Sequence, residues 1–146
     1  MEISSTDFET KSPEELIQWT IDQYGLKAGL ACSFGMEDMI LIDMIAKLKG
    51  PITIFTLDTG RLHEETYEIM EKVRSHYGLE IKTYFPNLEQ VEKLVQKKGF
   101  FSFRESIENR KECCAIRKIE PLNRALGELD AWVTGLRRDQ AITRSN

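Results

Sequence analysis

Short apolar segments alternate with longer segments of helical character along this chain, and this alternation restricts its fold more than any other feature. Strands are predicted at four apolar, partly β-branched segments: 30–32, 52–56, 81–85 and 131–134. Helices are predicted at four segments with apolar residues at helical spacing: 13–24, 39–48, 64–76 and 87–98. Because strands that alternate with helices form right-handed βαβ units, we expect an α/β fold, with a parallel sheet covered by helices on both faces.

Local signals predict several helix ends. Ser12 is suited to cap the first helix, and Glu15 lies at the position of a capping-box acid. Asn87 is a candidate cap for the helix that follows it. The stretch 99–112 is expected to be a loop or an irregular helix. A helix is expected after Cys113 and Cys114, and Pro121 is expected to break or restart it.

Size and composition predict one soluble domain. A chain of 146 residues can bury a single core, in which we expect the aromatic residues Trp19, Phe55, Phe103 and Trp132. The net charge of −4 argues against a nucleic-acid partner. No apolar run reaches the ~18 residues of a membrane span, and residues 1–15 do not have the pattern of a leader. Three cysteines, an odd number, favour reduced thiols and a cytoplasmic location, and a homo-oligomer is compatible with all of this.

Three polar segments directly follow predicted strands: 33–38, 57–61 and 135–144. In open parallel sheets, ligands bind beyond the carboxyl ends of the strands. We therefore expect these three segments to converge at one edge of the sheet and to form a ligand site there.

The first segment has a functional and a structural interpretation. Ser33, Phe34 and Gly35 join a strand to a helix, where backbone N–H groups can hold a phosphate, although a tight turn without function would have the same sequence. Glu37 and Asp38 follow in the first turn of the helix. Acids favour the helix dipole there, so capping explains them at least as well as ligand contact.

The other two segments offer a sugar contact and an anion clamp. Asp58 could accept hydrogen bonds from ribose hydroxyls beside Gly60, and equally Asp58 or Thr59 could cap the turn. The third segment carries three arginines. Guanidinium groups bind phosphate or sulfate oxygens bidentately, so we favour an anion clamp over a solvated face for Arg137, Arg138 and Arg144.

Two adjacent thiols, Cys113 and Cys114, lie among five charged residues within 110–118. Neighbouring cations favour the thiolate, which attacks sulfur or binds a soft metal, although an incidental pair of reduced thiols has the same sequence. A zinc site is disfavoured because no second pair or nearby histidine completes a tetrahedral shell. Cys32, on a predicted strand, is expected to be a core thiol.

Taken together, four ordered motifs resemble the assimilatory adenylyl-sulfate reductases over residues 12–146. The motifs are Ser33-Phe34-Gly35-x-Glu37-Asp38, Leu57-Asp58-Thr59-Gly60-Arg61 with Glu65-Thr66-Tyr67, Cys113-Cys114-x-x-Arg117-Lys118 with Pro121-Leu122, and Thr134-Gly135-x-Arg137-Arg138-x-Gln140-x-x-Thr143-Arg144. The resemblance implies an adenine nucleotide α-hydrolase-like fold that binds adenosine 5′-phosphosulfate. It further implies that a cysteine attacks the sulfur, that AMP leaves, and that thioredoxin releases sulfite.

The resemblance also implies roles for individual residues. Cys113 and Cys114 become two of the four ligands of a 4Fe–4S cluster, and Lys118 becomes the cation between cluster and phosphosulfate. The contacts to the anionic part of the nucleotide become Ser33, Phe34, Gly35, Arg137, Arg138 and Arg144. The residues that line the adenosine become Leu57, Asp58, Thr59, Gly60 and Gly135.

One departure from the family pattern concerns the missing ligands. Four are needed, and neither a later Cys-x-x-Cys nor a C-terminal cysteine is present before Asn146. We therefore interpret residues 1–146 as one adenine-nucleotide-binding reductase domain without its C-terminal part, and expect the nucleophile beyond residue 146. Two alternatives stay open: a reductase of the 3′-phosphorylated nucleotide, and a non-catalytic adenine-nucleotide-binding module with structural thiols.

Overall fold

A four-stranded, all-parallel sheet forms the centre of the molecule. The computed structural model describes residues 5–136. The strands are Ala28–Ala31 (β1), Thr53–Leu57 (β2), Lys82–Tyr84 (β3) and Ala131–Thr134 (β4). They lie in the order β3-β2-β1-β4, and every neighbouring pair is parallel. The predicted parallel α/β fold is confirmed.

Six α-helices accompany the sheet in the described residues: Pro13–Tyr24 (α1), Met36–Leu48 (α2), Glu64–Tyr77 (α3), Leu88–Lys98 (α4), Ile107–Cys114 (α5) and Glu120–Gly127 (α6). The four predicted helices correspond to α1 to α4. The stretch expected to be irregular contains a 3₁₀ turn at Ser102–Arg104 and then α5. A wide π-helical turn, Ala115–Ile119, joins α5 to α6, and Pro121 lies in the first turn of α6, where the helix restarts as predicted.

The two predicted helix caps are present. The Ser12 hydroxyl accepts a hydrogen bond from the Glu15 N–H, and the Glu15 carboxylate accepts one from the Ser12 N–H, each at 3.2 Å. The Asn87 side chain accepts from the Gln90 N–H at 3.1 Å. These bonds satisfy N–H groups that have no partner inside their own helix.

The core lies mainly on one face of the sheet, where α1, α2 and α3 pack on β1 and β2. Its buried members are Ile17, Ile21, Leu30, Cys32, Phe34, Ile42, Ile45, Ile54 and Val73. On the other face α6 packs against β2 and β3. Helices therefore cover both faces, as predicted.

The prediction of an aromatic core is correct for Phe55, which is 1% exposed, and wrong for Trp132, which is 49% exposed. The register pairs Trp132 with Gly29 of β1, so its side chain shares the sheet face of Phe55. On that face α6 packs against β2 and β3, two strands away along the sheet from β4. Trp19 and Phe103 are half-buried. Neither residue type nor spacing reveals which strand a helix will cover.

The strand order creates a crevice at the carboxyl edge of the sheet. From β1 the chain proceeds outward through β2 and β3, and it returns to pair β4 with the opposite edge of β1. The strand order therefore reverses at β1, between β2 and β4, which is the topological position where open α/β sheets bind ligands.

Candidate functional site

Asp38 braces the loop after β1. Its carboxylate Oδ2 accepts hydrogen bonds from the Ser33 N–H at 2.6 Å and from the Ser33 hydroxyl at 2.8 Å. Asp38 is 6% exposed, so the contact with Ser33 accounts for an acid at this position better than the helix dipole alone. Both donors of Ser33 are used within the loop. The anion donors that remain here are the N–H groups at the start of α2, which have no acceptor inside their own helix.

Phe34 and Gly35 shape the same loop without presenting side chains to it. Phe34 has a left-handed backbone, with φ of 63°, and its ring belongs to the core. Gly35 is the N-cap of α2 and has no side chain to occupy the helix end. A ligand would therefore meet backbone at these two positions.

Asp58 organises the loop after β2. Its Oδ1 accepts from the Gly60 N–H and from the Tyr67 hydroxyl, both at 2.8 Å, and Asp58 is 7% exposed. The Thr59 hydroxyl accepts from the Arg61 N–H at 3.2 Å. The alternative that Asp58 or Thr59 caps the turn is confirmed, because each side-chain oxygen accepts the N–H two residues further on. The turn ends before α3, which begins after His63.

Tyr67, which is part of the second motif, belongs to the site, although sequence reasoning assigned it no role. Burial, and then the hydrogen bond to Asp58, raise the pKa of Tyr67 above its ordinary value, so the hydroxyl is a donor at neutral pH. Because the bond holds Asp58 in place, Tyr67 fixes the loop from α3. Its place in that motif, within the first turns of the helix after the loop, was the signal in the sequence.

The cysteine pair opens onto a cavity of about 680 Å³. Cys113 and Cys114 end α5 as half-buried free thiols. The other residues of the cavity wall include five cations, of which Arg61 belongs to the loop after β2 and the others are Arg110, Lys111, Arg117 and Lys118. The thiols therefore lie in the cationic surroundings that the sequence predicts, and this cavity can accept an anion.

A second cavity, of about 300 Å³, lies at the carboxyl ends of β1 and β2. Ser33 and Leu57 line it, together with apolar side chains. It shares four wall residues with the larger cavity: Thr59, Leu62, Thr66 and Lys118. Lys118 therefore borders both spaces, so the cysteine pair and the two loops that follow strands form one site.

Gly135 brings the end of β4 against the loop after β1. A Cβ at this position would lie 2.4 Å from Asp38 Oδ1 and 3.1 Å from Glu37 Cβ, so no side chain fits without displacement. The three segments predicted to converge do so as far as residue 136. Arg137, Arg138 and Arg144 lie outside the described residues.

The described residues do not complete a metal shell. Within 5–136 no group of three or more His, Cys, Asp and Glu side chains is placed to hold a metal ion. The thiols of Cys113 and Cys114 fit as two ligands only. Cys32 is 4% exposed, and burial raises its pKa to about 12, so its thiol stays protonated in the core. Across the described part of the chain, no helix is long and apolar enough to cross a bilayer.

Several known proteins are similar to this chain. It is 49% identical over 119 residues to an adenosine 5′-phosphosulfate reductase of Burkholderia cepacia, which covers 82% of this chain and 48% of the relative. It is 44% identical over 133 residues to the chloroplastic 5′-adenylylsulfate reductase 1 of Arabidopsis thaliana, which covers 91% of this chain and 28% of the relative. The chain spans about half the length of its bacterial relatives, and less of the plant ones.

A solved structure is similar over almost the whole chain. It is the phosphoadenylyl-sulfate reductase of Candida auris in a phosphate complex, with a TM-score of 0.79 and 26% identity over 97% of this chain and 72% of that one. The family model described as the phosphoadenosine phosphosulfate reductase domain matches residues 27–146. These residues include the two braced loops, the cysteine pair and Gly135. The chain belongs to the phosphoadenosine phosphosulfate reductase domain family.

Proposed function

We propose that this chain is the nucleotide-binding and cysteine-bearing part of an assimilatory adenylyl-sulfate reductase. One observation carries the proposal: Lys118 borders both the cavity of Cys113 and Cys114 and the cavity at the carboxyl ends of β1 and β2. A substrate that lies across these cavities would place an anionic group between a nucleotide site and a thiol pair. The names of the relatives with 44% to 49% identity support this choice.

The substrate would be adenosine 5′-phosphosulfate. In the proposal its adenosine lies along Leu57, Asp58, Thr59, Gly60 and Gly135. Its phosphosulfate lies near Ser33, Phe34, Gly35, Lys118, Arg137, Arg138 and Arg144. Leu57 and Thr59 line the mostly apolar smaller cavity, which suits a base, and Lys118 also borders the cationic larger cavity, which suits an anion. Ser33 lines the smaller cavity too, so the phosphate would lie where the two cavities meet.

The proposed reaction moves the sulfuryl group to a cysteine thiolate. A bond forms between the thiolate and the sulfate sulfur, the bond from that sulfur to the phosphate oxygen breaks, and the electron pair leaves with AMP. Fixed cations such as Lys118 stabilise the negative charge that develops on the AMP phosphate. Thioredoxin, the proposed reductant, then cleaves the bond between the cysteine sulfur and the sulfo group: its dithiol becomes a disulfide, sulfite is released, and the cysteine thiol is restored. The nucleophile is proposed to lie outside residues 1–146.

A 4Fe–4S cluster is the proposed cofactor. Cys113 and Cys114 would supply two thiolates, and two further ligands would come from outside the described residues. When bound, the cluster would add a redox-active and electrostatic centre beside the substrate anion. Lys118 has its own function in the proposal, which is to hold the phosphosulfate against the wall that carries the thiols.

A cytoplasmic location is part of the proposal for this chain, supported by its three free cysteines in a reduced state. The plant relatives are named chloroplastic. The oligomeric state stays a prediction, with a homo-oligomer compatible with the chain.

One alternative substrate has a specific observation behind it. The similar solved structure is that of a reductase of the 3′-phosphorylated nucleotide, phosphoadenylyl sulfate. The cysteine pair favours the unphosphorylated substrate, since the family resemblance associates it with that group. A non-catalytic nucleotide-binding module remains the third candidate.

Competitive binding separates these candidates. Isothermal titration of the chain with adenosine 5′-phosphosulfate and with its 3′-phosphorylated form should show tighter binding of the first. Lys118→Met should weaken that binding about tenfold, the factor expected from one hydrogen bond to a charged group. Lys72→Met is the matched control, because Lys72 is exposed on α3 and lines neither cavity.

Three results would count against the proposal. Preference for the 3′-phosphorylated nucleotide would identify the alternative substrate. Binding of adenosine nucleotides without any dependence on the sulfate group or on Lys118 would favour the non-catalytic module. Binding of neither nucleotide would refute both reductase assignments.

A further inference from the structure

Arg117 lies in the π-helical turn that directly follows the cysteine pair. In this turn the Glu120 N–H donates to the Ala115 carbonyl, five residues earlier. Pro121 has no N–H to donate, and its ring would clash with the carbonyl of Arg117 in a regular helix, which explains why the helix widens here. Single π turns of this kind occur frequently at functional sites.

The Arg117 side chain crosses from this turn to the loop after β2. It is 8% exposed, and its Nη1 donates to the Thr59 carbonyl at 2.6 Å. Its Nε is buried and has no hydrogen-bond partner among the residues that the structure describes. Burial of a guanidinium costs free energy unless hydrogen bonds or an opposite charge compensate for the lost water. The bond to the Thr59 carbonyl is such a compensating contact.

The loop is shaped to receive this bond. Gly60 has a φ of 78°, and a Cβ there would lie 3.3 Å from Arg117 Nη1. Asp58 and Thr59 each accept an N–H of the turn with a side-chain oxygen, so two hydrogen bonds fix the turn that carries the Thr59 carbonyl. The long, charged side chain of Arg117 reaches this carbonyl from the neighbouring helical turn.

We propose that Arg117 is a positioning residue, which fixes the distance between the nucleotide loop Asp58–Arg61 and the helix that carries Cys113 and Cys114. A displacement of the loop on ligand binding is then transmitted to the cysteine helix, and the reverse. This inference depends on the proposed function only in that the loop binds a nucleotide. The link between loop and helix itself is based on the hydrogen bond from Arg117 to the Thr59 carbonyl.

Hydrogen exchange tests the link in the 146-residue chain. In the free protein, Arg117→Met should accelerate amide exchange in residues 58–62 about tenfold or more, since a charge-assisted hydrogen bond is lost. The matched control is Arg124→Met, because Arg124 also donates to a carbonyl that follows a strand, that of Phe85, and lines neither cavity. It should leave residues 58–62 unchanged within about twofold.

AMP provides the second readout. In the wild type, saturating AMP should slow exchange both in residues 58–62 and in residues 113–119. In Arg117→Met, AMP should bind about tenfold more weakly, and at saturation it should protect the loop but not the cysteine helix. A merely structural role would change stability without uncoupling these two segments.

The possible outcomes separate the two proposals. If wild-type chain does not bind AMP, the proposed function fails, and exchange in the free protein still decides the link. Unchanged exchange in residues 58–62 of Arg117→Met would overturn the inference. If this variant does not fold, Arg117→Gln decides, because glutamine is polar but too short to reach the Thr59 carbonyl. Fast exchange of the loop in Arg117→Gln would support the inference, and wild-type exchange would overturn it.

Discussion

Removal of the Asp38 carboxylate should destabilise the fold and open the loop after β1. In the structure one oxygen of Asp38 accepts both the N–H and the hydroxyl of Ser33, at 2.6 and 2.8 Å. Asp38→Ala removes the acceptor of both Ser33 donors at a half-buried site, where Asp38 is buried and Ser33 is exposed. The change therefore removes a brace, and water can satisfy the freed donors only in part.

The expected loss in the free energy of unfolding is about 2 kcal/mol, because water reaches Ser33 and satisfies part of what is lost. A hydrogen bond to a charged group contributes about 1.5–3 kcal/mol, and two such bonds share one oxygen here, so they are less than additive. Relief from burying the carboxylate offsets part of the loss. Ser33→Ala removes only the hydroxyl bond and should lose about 1.5 kcal/mol.

Urea unfolding measures these values. The midpoint should fall in the order wild type, Ser33→Ala, Asp38→Ala, while the slope stays constant, since the exposed surface changes little. The control is Asp22→Ala, because Asp22 also accepts a side-chain hydrogen bond, from Gln18, but on an exposed helix surface. It should stay within about 0.5 kcal/mol of the wild type. If Asp38→Ala lost no more free energy of unfolding than Asp22→Ala, the bracing role of Asp38 would be refuted.

Three further predictions follow from the site. Gly135→Ala should lower both the melting temperature and the affinity for adenosine nucleotides, measured by calorimetry, because its methyl group would lie 2.4 Å from Asp38 Oδ1; unchanged values would contradict the close packing. Denaturant titrations should show a stability difference between wild type and Tyr67→Phe that stays constant up to the ordinary tyrosine pKa of about 10 and falls above it. The reason is that the pKa of Tyr67 is raised, so its hydroxyl keeps the proton that it donates to Asp58 over that whole range. A fall that begins near neutral pH would exclude Tyr67 as this donor. Brief alkylation at pH 8 followed by mass spectrometry should label Cys113 and Cys114 but not Cys32, whose burial raises its pKa to about 12; equal labelling of all three would show that Cys32 is not in the core.

The fold was predictable because its signals are local. Strand-like segments, the Ser12 capping box and the Asn87 cap depend on residues within a few positions of one another. The convergence of the three polar segments also followed, since parallel strands share a carboxyl edge. What could not be predicted is which helix covers which strand, and this is why Trp132 was placed in the core and is exposed.

The details of the site were less predictable because they depend on contacts between distant segments. The hydrogen bond of Arg117 to Thr59 joins residues 58 positions apart, and no local pattern indicates it. Tyr67 reaches Asp58 only because α3 starts after His63 and not at the turn. The sequence therefore indicated the chemical types at the site, and the fold determined which of them hold the loops.

The two buried aspartates of the site have a common physical logic. A cavity that binds an anionic nucleotide would be weakened by carboxylates that face the ligand, because like charges repel. Asp38 and Asp58 avoid this, since each is turned into its own loop and accepts two hydrogen bonds from loop or helix donors. Lys118 instead borders both cavities. The acids thus stabilise the loops, while the cations determine the electrostatic potential of the cavity. Neutralising either aspartate should therefore change the geometry of its loop more than it changes the electrostatic attraction of the cavity for the anion.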